Sequence, residues 1–184
     1  ISRLIQTARP GTALLFEPGF SEYEAALKES GSKLRFFRLS GENGFVPNEQ
    51  CLSAITSDLD LLILGQPNNP TGRLIPPDLL HAAAQRCLDT RTILAIDECF
   101  LDFTDHPAEH TLLPFLSRYR NVILLRAFTK THAMAGLRLG YAICGDPALA
   151  KKLSLSGQPW PVSVLSSAAG LAALQDQDYQ ERLR

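Results

Sequence analysis

Short apolar runs alternate with longer amphipathic segments along the whole chain. Thr12–Phe16 (TALLF), Leu34–Leu39, Leu59–Leu64 (LDLLIL), Thr92–Ile96 (TILAI), Val122–Leu125 and Leu139–Cys144 predict six strands. Several are apolar at successive positions, as strands buried on both faces are. Between them lie helical patterns. Ser21-Glu22-Tyr23-Glu24 reads as an S-x-x-E capping box opening a helix to about Ser30. Asn48–Ile55 predicts a shorter helix. Pro76 and Pro77 suit the first turn of a helix reaching Leu88, with Leu79, Leu80, Ala83, Ala84, Cys87 and Leu88 as its apolar stripe. Leu149–Leu155 and Val164–Leu174 predict two more, the second rich in Ala and Ser and suited to close packing. Tyr179–Arg184 reads as helix with no stop signal, and His106–Pro114 is the most loop-like stretch. The β-α alternation predicts an α/β domain with a mainly parallel sheet and helices on both faces. Ligands of such sheets bind beyond the carboxyl ends of the strands.

Composition narrows the function classes. The chain has 184 residues, 45% hydrophobic and 20% charged, which suits a globular domain and excludes disorder, collagen and coiled coil. Eighteen basic and nineteen acidic residues give a net charge of −1, without the basic excess of a nucleic-acid binder. No apolar run approaches the roughly 18 residues of a membrane span. Cys51, Cys87, Cys99 and Cys144 are widely spaced and form no C-x-x-C, which suits a reducing cytoplasm better than a disulfide framework or zinc site.

Four segments at strand exits carry unusual polar groups. Gln66-Pro67-Asn68-Asn69-Pro70-Thr71-Gly72 is a rigid turn, or a turn that places side-chain amides where a ligand lies. Asp97-Glu98 follows an apolar strand; Asp97 is either a cap for the next helix or a carboxylate held for a ligand cation. Arg126-Ala127-Phe128-Thr129-Lys130 follows another buried strand. Lys130 is either a solvated surface residue or a lysine partly desolvated beside Phe128, and so nucleophilic toward carbonyls. In Gly136-Leu137-Arg138-Leu139-Gly140-Tyr141, Arg138 is a rim salt-bridge partner or a phosphate ligand. Taken together, an amine, an acid, an amide, an arginine and the Thr129 hydroxyl match the needs of pyridoxal phosphate.

The ordered motifs P-G-F-S-E-Y, P-N-N-P-T-G, D-E-C-F-L-D-F, R-A-F-T-K and A-G-L-R-L-G-Y resemble those of the fold-type I pyridoxal-phosphate enzymes. The resemblance covers nearly the whole chain and is strongest to the histidinol-phosphate aminotransferase branch. Within it, D-E-x-F-x-D-F, P-G-F-x-E-Y and Gln158-Pro159-Trp160 resemble the threonine-phosphate decarboxylases. This resemblance implies that Lys130 joins the cofactor aldehyde and Asp97 pairs with the pyridinium nitrogen. It also implies that Asn69 bonds the ring hydroxyl, Tyr23 lies against the ring face, and Thr129 and Arg138 bind the phosphate. Three positions depart from the family pattern. Phe100 stands where aminotransferases of the branch often have a tyrosine that also bonds the ring hydroxyl. Ala127 stands where a hydroxyl residue is common, and Ser163 where the decarboxylases have Asn.

The implied activity is decarboxylation of L-threonine O-3-phosphate to aminopropanol phosphate, a step of cobalamin biosynthesis. The alternative is an aminotransferase acting on histidinol phosphate or a related amino acid. The implied partners are a small amino-acid or amino-phosphate substrate and a second copy of the chain, with no nucleic acid or membrane. Residues 1–184, opening at Ile1, are expected to be the large cofactor-binding domain, without the family's N-terminal arm and C-terminal small domain. Other classes fare worse. His106 and His110 have metal-ligand spacing, but Pro107 argues against a helix there. Neither G-x-x-x-x-G-K-[ST] nor G-x-G-x-x-G is present, which argues against a nucleotide-binding protein. An aminotransferase-like effector domain of a transcription regulator remains the non-enzyme alternative.

Overall fold

The structure is a computed structural model that describes residues 1–176, 178 and 179. Six strands form one sheet: β1 (Thr12–Glu17), β2 (Lys33–Arg38), β3 (Leu61–Gly65), β4 (Ile93–Asp97), β5 (Val122–Ala127) and β6 (Gly140–Cys144). Their order is β2-β1-β3-β4-β5-β6. The first five are parallel, and β6 runs antiparallel along β5 at the edge. All six predicted strands are present, with ends moved by at most two residues.

The helices are α1 (Ser2–Ala8), α2 (Ser21–Glu29), α3 (Pro77–Thr90), α4 (Phe128–Thr131), α5 (Pro147–Leu155) and α6 (Val164–Gln175). The two-residue strand period divides the core in two. On one face Leu14, Leu62, Leu64, Leu94, Ile96, Val122 and Leu124 pack with the α3 stripe. On the other, Ala13, Leu15, Leu61, Ile63, Ala95 and Ile123 pack under Leu4 and Ile5 of α1, Tyr23 and Leu27 of α2, and Leu153 of α5. Helices therefore cover both faces, and the central strands are apolar throughout because neither face meets water.

Local expectations needed three corrections. Ser21 does not cap α2. Phe20 holds the N-cap position in an extended conformation and Ser21 is the first helical residue, because the Pro18-Gly19-Phe20 turn delivers the chain one residue earlier. The Asn48–Ile55 helix is a 3-10 helix, Glu49–Ala54, capped by the Asn48 side chain. Seven-residue α1 carries only two buried apolar positions, too few to show a period. The helix read over Tyr179–Arg184 lies, beyond Tyr179, outside the described residues. In α6 the small-residue face packs as expected. Ser166 Oγ donates to the Leu137 carbonyl at 2.7 Å, and a Cβ on Gly170 would meet Leu139 Cδ2 at 2.6 Å. No helix among the described residues is long and apolar enough to cross a membrane.

Candidate active site

The carboxyl ends of β1, β3, β4 and β5 open on the same side of the sheet, and the polar segments leave from them. Asp97 is the last residue of β4, beside Gly65 at the end of β3. Gln66 N–H donates to the Asp97 carbonyl and Glu98 N–H to the Leu125 carbonyl, at 2.8 and 2.9 Å. The three exits are thereby stitched together by backbone alone.

Both oxygens of the Asp97 side chain accept a hydrogen bond. Tyr23 Oη donates to Oδ2 at 2.7 Å, and the Cys99 N–H donates to Oδ1 at 3.1 Å. Burial and the Asp97 charge raise the Tyr23 phenol well above its ordinary value, so it keeps its proton and remains a donor. Burial, with Asp97 adding to it, also raises the Cys99 thiol, which lies within the field of Lys130.

Lys130 lies one turn beyond β5, in α4, with Thr129 beside it. Its Nζ stands 5.3 Å from the centroid of the Phe100 ring, an exposed cation–π contact. Lys130 is exposed, so the partial desolvation expected beside Phe128 does not arise. The ring that meets the ammonium belongs to Phe100, on the exit of β4. Phe100, which stands where aminotransferases of the branch often have a tyrosine, thus offers the ammonium a π face.

The Gln66–Gly72 turn is braced from inside. Fully buried Gln66 donates to the carbonyls of Ile75 and His110 and accepts from the Ile75 N–H. Asn68 turns inward, its Nδ2 donating to the Pro18 carbonyl and to Thr71 Oγ1, both at 3.0 Å. Asn69 is left part-exposed at the rim. The two adjacent asparagines therefore divide the work, one holding the loop and one facing outward. Arg138 is exposed after a short 3-10 turn and donates to the Ala135 carbonyl at 3.2 Å.

Tyr23 requires a correction. Its side chain was expected against a bound ring, yet the residue is only 5% exposed and its hydroxyl is committed to Asp97. The Phe20 ring meets it edge-on at 5.4 Å and is itself part-exposed. Sequence reasoning also passed over Glu98. It lies on the opposite side of the strand exit from Asp97, buried against Arg126 and Thr111. Alternation at a strand end was the available signal, since two successive acids there must face opposite ways. His106 and His110 bracket a 3-10 turn rather than sharing a helix face. Among the described residues no group of three His, Cys, Asp or Glu side chains is arranged to hold a metal ion.

A mainly parallel sheet with an amine, a clamped carboxylate and an amide at adjoining strand exits is an α/β fold of the transferase type. The chain belongs to the aminotransferase class I and II family, whose model matches residues 1–184. It is 40% identical over 173 residues to the threonine-phosphate decarboxylase of Salmonella typhimurium, covering 94% of this chain and 47% of that protein. It is 36% identical over 171 residues to the histidinol-phosphate aminotransferase of Oleidesulfovibrio alaskensis, covering 92% and 44%. The fold superposes on the crystal structure of the histidinol-phosphate aminotransferase from Clostridium acetobutylicum with a TM-score of 0.90 at 26% identity, covering 98% and 53%. The chain thus spans less than half the length of these two curated relatives.

Enzymes of this family depend on pyridoxal phosphate, and the donor set fits that cofactor. A carboxylate with both oxygens already oriented suits a ring cation. An exposed amine suits an aldehyde, and an amide on a braced loop suits a ring hydroxyl.

Proposed function

We propose that this chain is the cofactor-binding large domain of a pyridoxal-phosphate-dependent enzyme that decarboxylates L-threonine O-3-phosphate. The observation that carries the cofactor assignment is the placement of Lys130 and Asp97 at the exits of neighbouring strands β4 and β5, with Asp97 fixed by two donors. When bound, the cofactor supplies an electron sink for the bond that breaks at the substrate α-carbon.

The chain's own residues divide the binding. Lys130 Nζ would hold the cofactor at its aldehyde and, once displaced by the substrate amine, would carry a proton at that nitrogen. Asp97 holds the ring cation, and Asn69 donates to the ring hydroxyl. Thr129 and Arg138 hold the phosphate, Arg138 as a permanently charged fork. Part-exposed Phe20 is the aromatic ring available to a planar group, since Tyr23 is buried behind it. In the proposed reaction the bond from the α-carbon to the carboxylate breaks, carbon dioxide leaves, and a proton takes its place to give aminopropanol phosphate. That step belongs to cobalamin biosynthesis. Two observations support the decarboxylase: its 40% identity to the Salmonella protein, and Phe100 at the position after Cys99.

A second reading, transamination of histidinol phosphate or a related amine, is supported by the 36% identity to the Oleidesulfovibrio aminotransferase. The free state of Cys51, Cys87, Cys99 and Cys144 supports a reducing cytoplasm, and the resemblance supports a homodimer.

The test uses the natural full-length protein. Incubation with L-threonine O-3-phosphate should release carbon dioxide and form aminopropanol phosphate. Keto-acid-dependent turnover of histidinol phosphate without carbon dioxide would overturn the decarboxylase. Lys130→Ala should abolish the visible absorbance of lysine-linked cofactor, and its persistence would overturn the site.

A further inference from the structure

The Tyr23 hydroxyl bridges two elements far apart in the chain. Tyr23 belongs to α2 and Asp97 ends β4, and their 2.7 Å hydrogen bond spans 74 residues. The Tyr23 ring is packed among Leu27, Leu15 and Ile63 in the core beneath α2. Only 5% of the residue is exposed, so neither ring face is free for a ligand. Asp97 Oδ1 is held separately by the Cys99 backbone. Donors from two directions fix both the rotamer and the plane of the carboxylate.

We propose that Tyr23 is a positioning residue that acts through Asp97, presetting its carboxylate for the cofactor's ring nitrogen without touching the ring. This rests on the cofactor reading above and refines the stacking role that the resemblance implied. Each part of the geometry favours it. A rotamer already fixed loses less freedom when the ligand binds. A phenol buried beside a carboxylate keeps its proton, so the donor persists across the working pH range. The groups that face this pair are the Cys99 thiol and, through Cys99, Lys130. None of these displaces the phenol as the donor to Oδ2.

The experiment compares Tyr23→Phe, which keeps the ring, with Tyr23→Leu, which removes it, both in the natural full-length protein. Tyr23→Phe should weaken cofactor binding by about tenfold, the scale of a hydrogen bond to a charged group, and shift the nitrogen resonance of ring-labelled cofactor. Most of that loss should vanish when Asp97 is already alanine, because Tyr23 then has nothing to position. Unchanged affinity in Tyr23→Phe, with loss only in Tyr23→Leu, would restore the stacking role and overturn the proposal. An equal loss in the Asp97→Ala background would overturn it too. A second measurement needs no cofactor. In the cofactor-free protein, Tyr23→Phe should shift the carboxyl carbon resonance of Asp97, which loses a donor at Oδ2. An unchanged Asp97 resonance would overturn the Tyr23–Asp97 coupling while leaving the cofactor reading standing. Failure of the Lys130→Ala absorbance test would sink that reading and leave the coupling intact.

Discussion

Arg126 donates to a single oxygen of Glu98 through both Nε and Nη2, each at 2.8 Å. The Glu98 side chain is fully buried, and its second oxygen accepts from Thr111 Oγ1 at 2.6 Å. The pair joins the exit of β4, one residue after Asp97, to the end of β5, four residues before Lys130. Its role is therefore to hold the two strand ends that carry the site. Glu98→Ala leaves a half-buried guanidinium without its partner and should cost about 3 kcal/mol, read as a fall in the denaturant midpoint at unchanged slope. Glu98→Leu combined with Arg126→Met should recover most of that loss, because apolar replacement of both partners removes the uncompensated charge.

The thiols of Cys51 and Cys87 predict an alkaline weakness. Burial pushes Cys51 up from 9.0 to about 11 and Cys87 to about 12. Both thiols ionise in the unfolded chain while they stay protonated in the fold. The unfolded state then binds fewer protons, so stability is full below about pH 9 and falls as the pH rises from there. Each such group contributes a slope of up to about 1.4 kcal/mol per pH unit. Cys87→Ala should lower stability at neutral pH through the cavity it leaves, yet make the alkaline fall shallower by one proton. Denaturant midpoints measured from neutral pH into the alkaline range check both.

Gly19 links the site to the end of β1. A Cβ there would collide with the Phe16 carbonyl oxygen, a backbone atom that cannot swing away. Gly19→Ala must therefore move the Pro18–Phe20 turn and with it the start of α2, where Tyr23 sits. It should cost about 1–3 kcal/mol. At Gly136 a Cβ would meet nothing within 4 Å, so Gly136→Ala should stay within about 0.5 kcal/mol of the parent. Thermal unfolding of the two variants side by side separates close approach from a general intolerance of glycine replacement.

Strands were the most legible part of the chain because burial on both faces leaves no ambiguity. Leu61, Leu62, Ile63 and Leu64 are all buried, and the sequence there is apolar without interruption. The strand exits were legible for the same reason, since a polar residue directly after such a run stands at the mouth of the sheet. Asp97 and Lys130 were singled out this way. Tyr23 was not placed correctly because its partner lies 74 residues away, and spacing within α2 says nothing of β4. Lys130 was expected beside Phe128 because the two are close in sequence. Its contact with Phe100 arises across the β4–β5 pair and has no local signature. The inward turn of Asn68, set by the Pro18 carbonyl, was hidden for the same reason.

Arg138 combines a charge with an unfavourable backbone, and the two can be pulled apart. Its φ of 53° and ψ of 39° place it in the left-handed region, where a Cβ crowds the following carbonyl and costs about 1–2 kcal/mol. Its guanidinium is exposed and held by one bond to the Ala135 carbonyl. Arg138→Ala keeps the strained backbone and loses the charge. Arg138→Gly loses the charge and relieves the strain. The glycine variant should therefore unfold at a higher denaturant midpoint than the alanine variant, by about 1 kcal/mol after its greater unfolded-chain freedom is set against it. Cofactor affinity should fall equally in both, because neither retains the fork that binds phosphate. Arg138→Lys should lose less affinity than either, having a charge without the bidentate geometry. If alanine and glycine bind the cofactor as tightly as the parent, the phosphate role of Arg138 is wrong. If they bind unequally, in proportion to their stability, the residue acts through the turn and not through its charge.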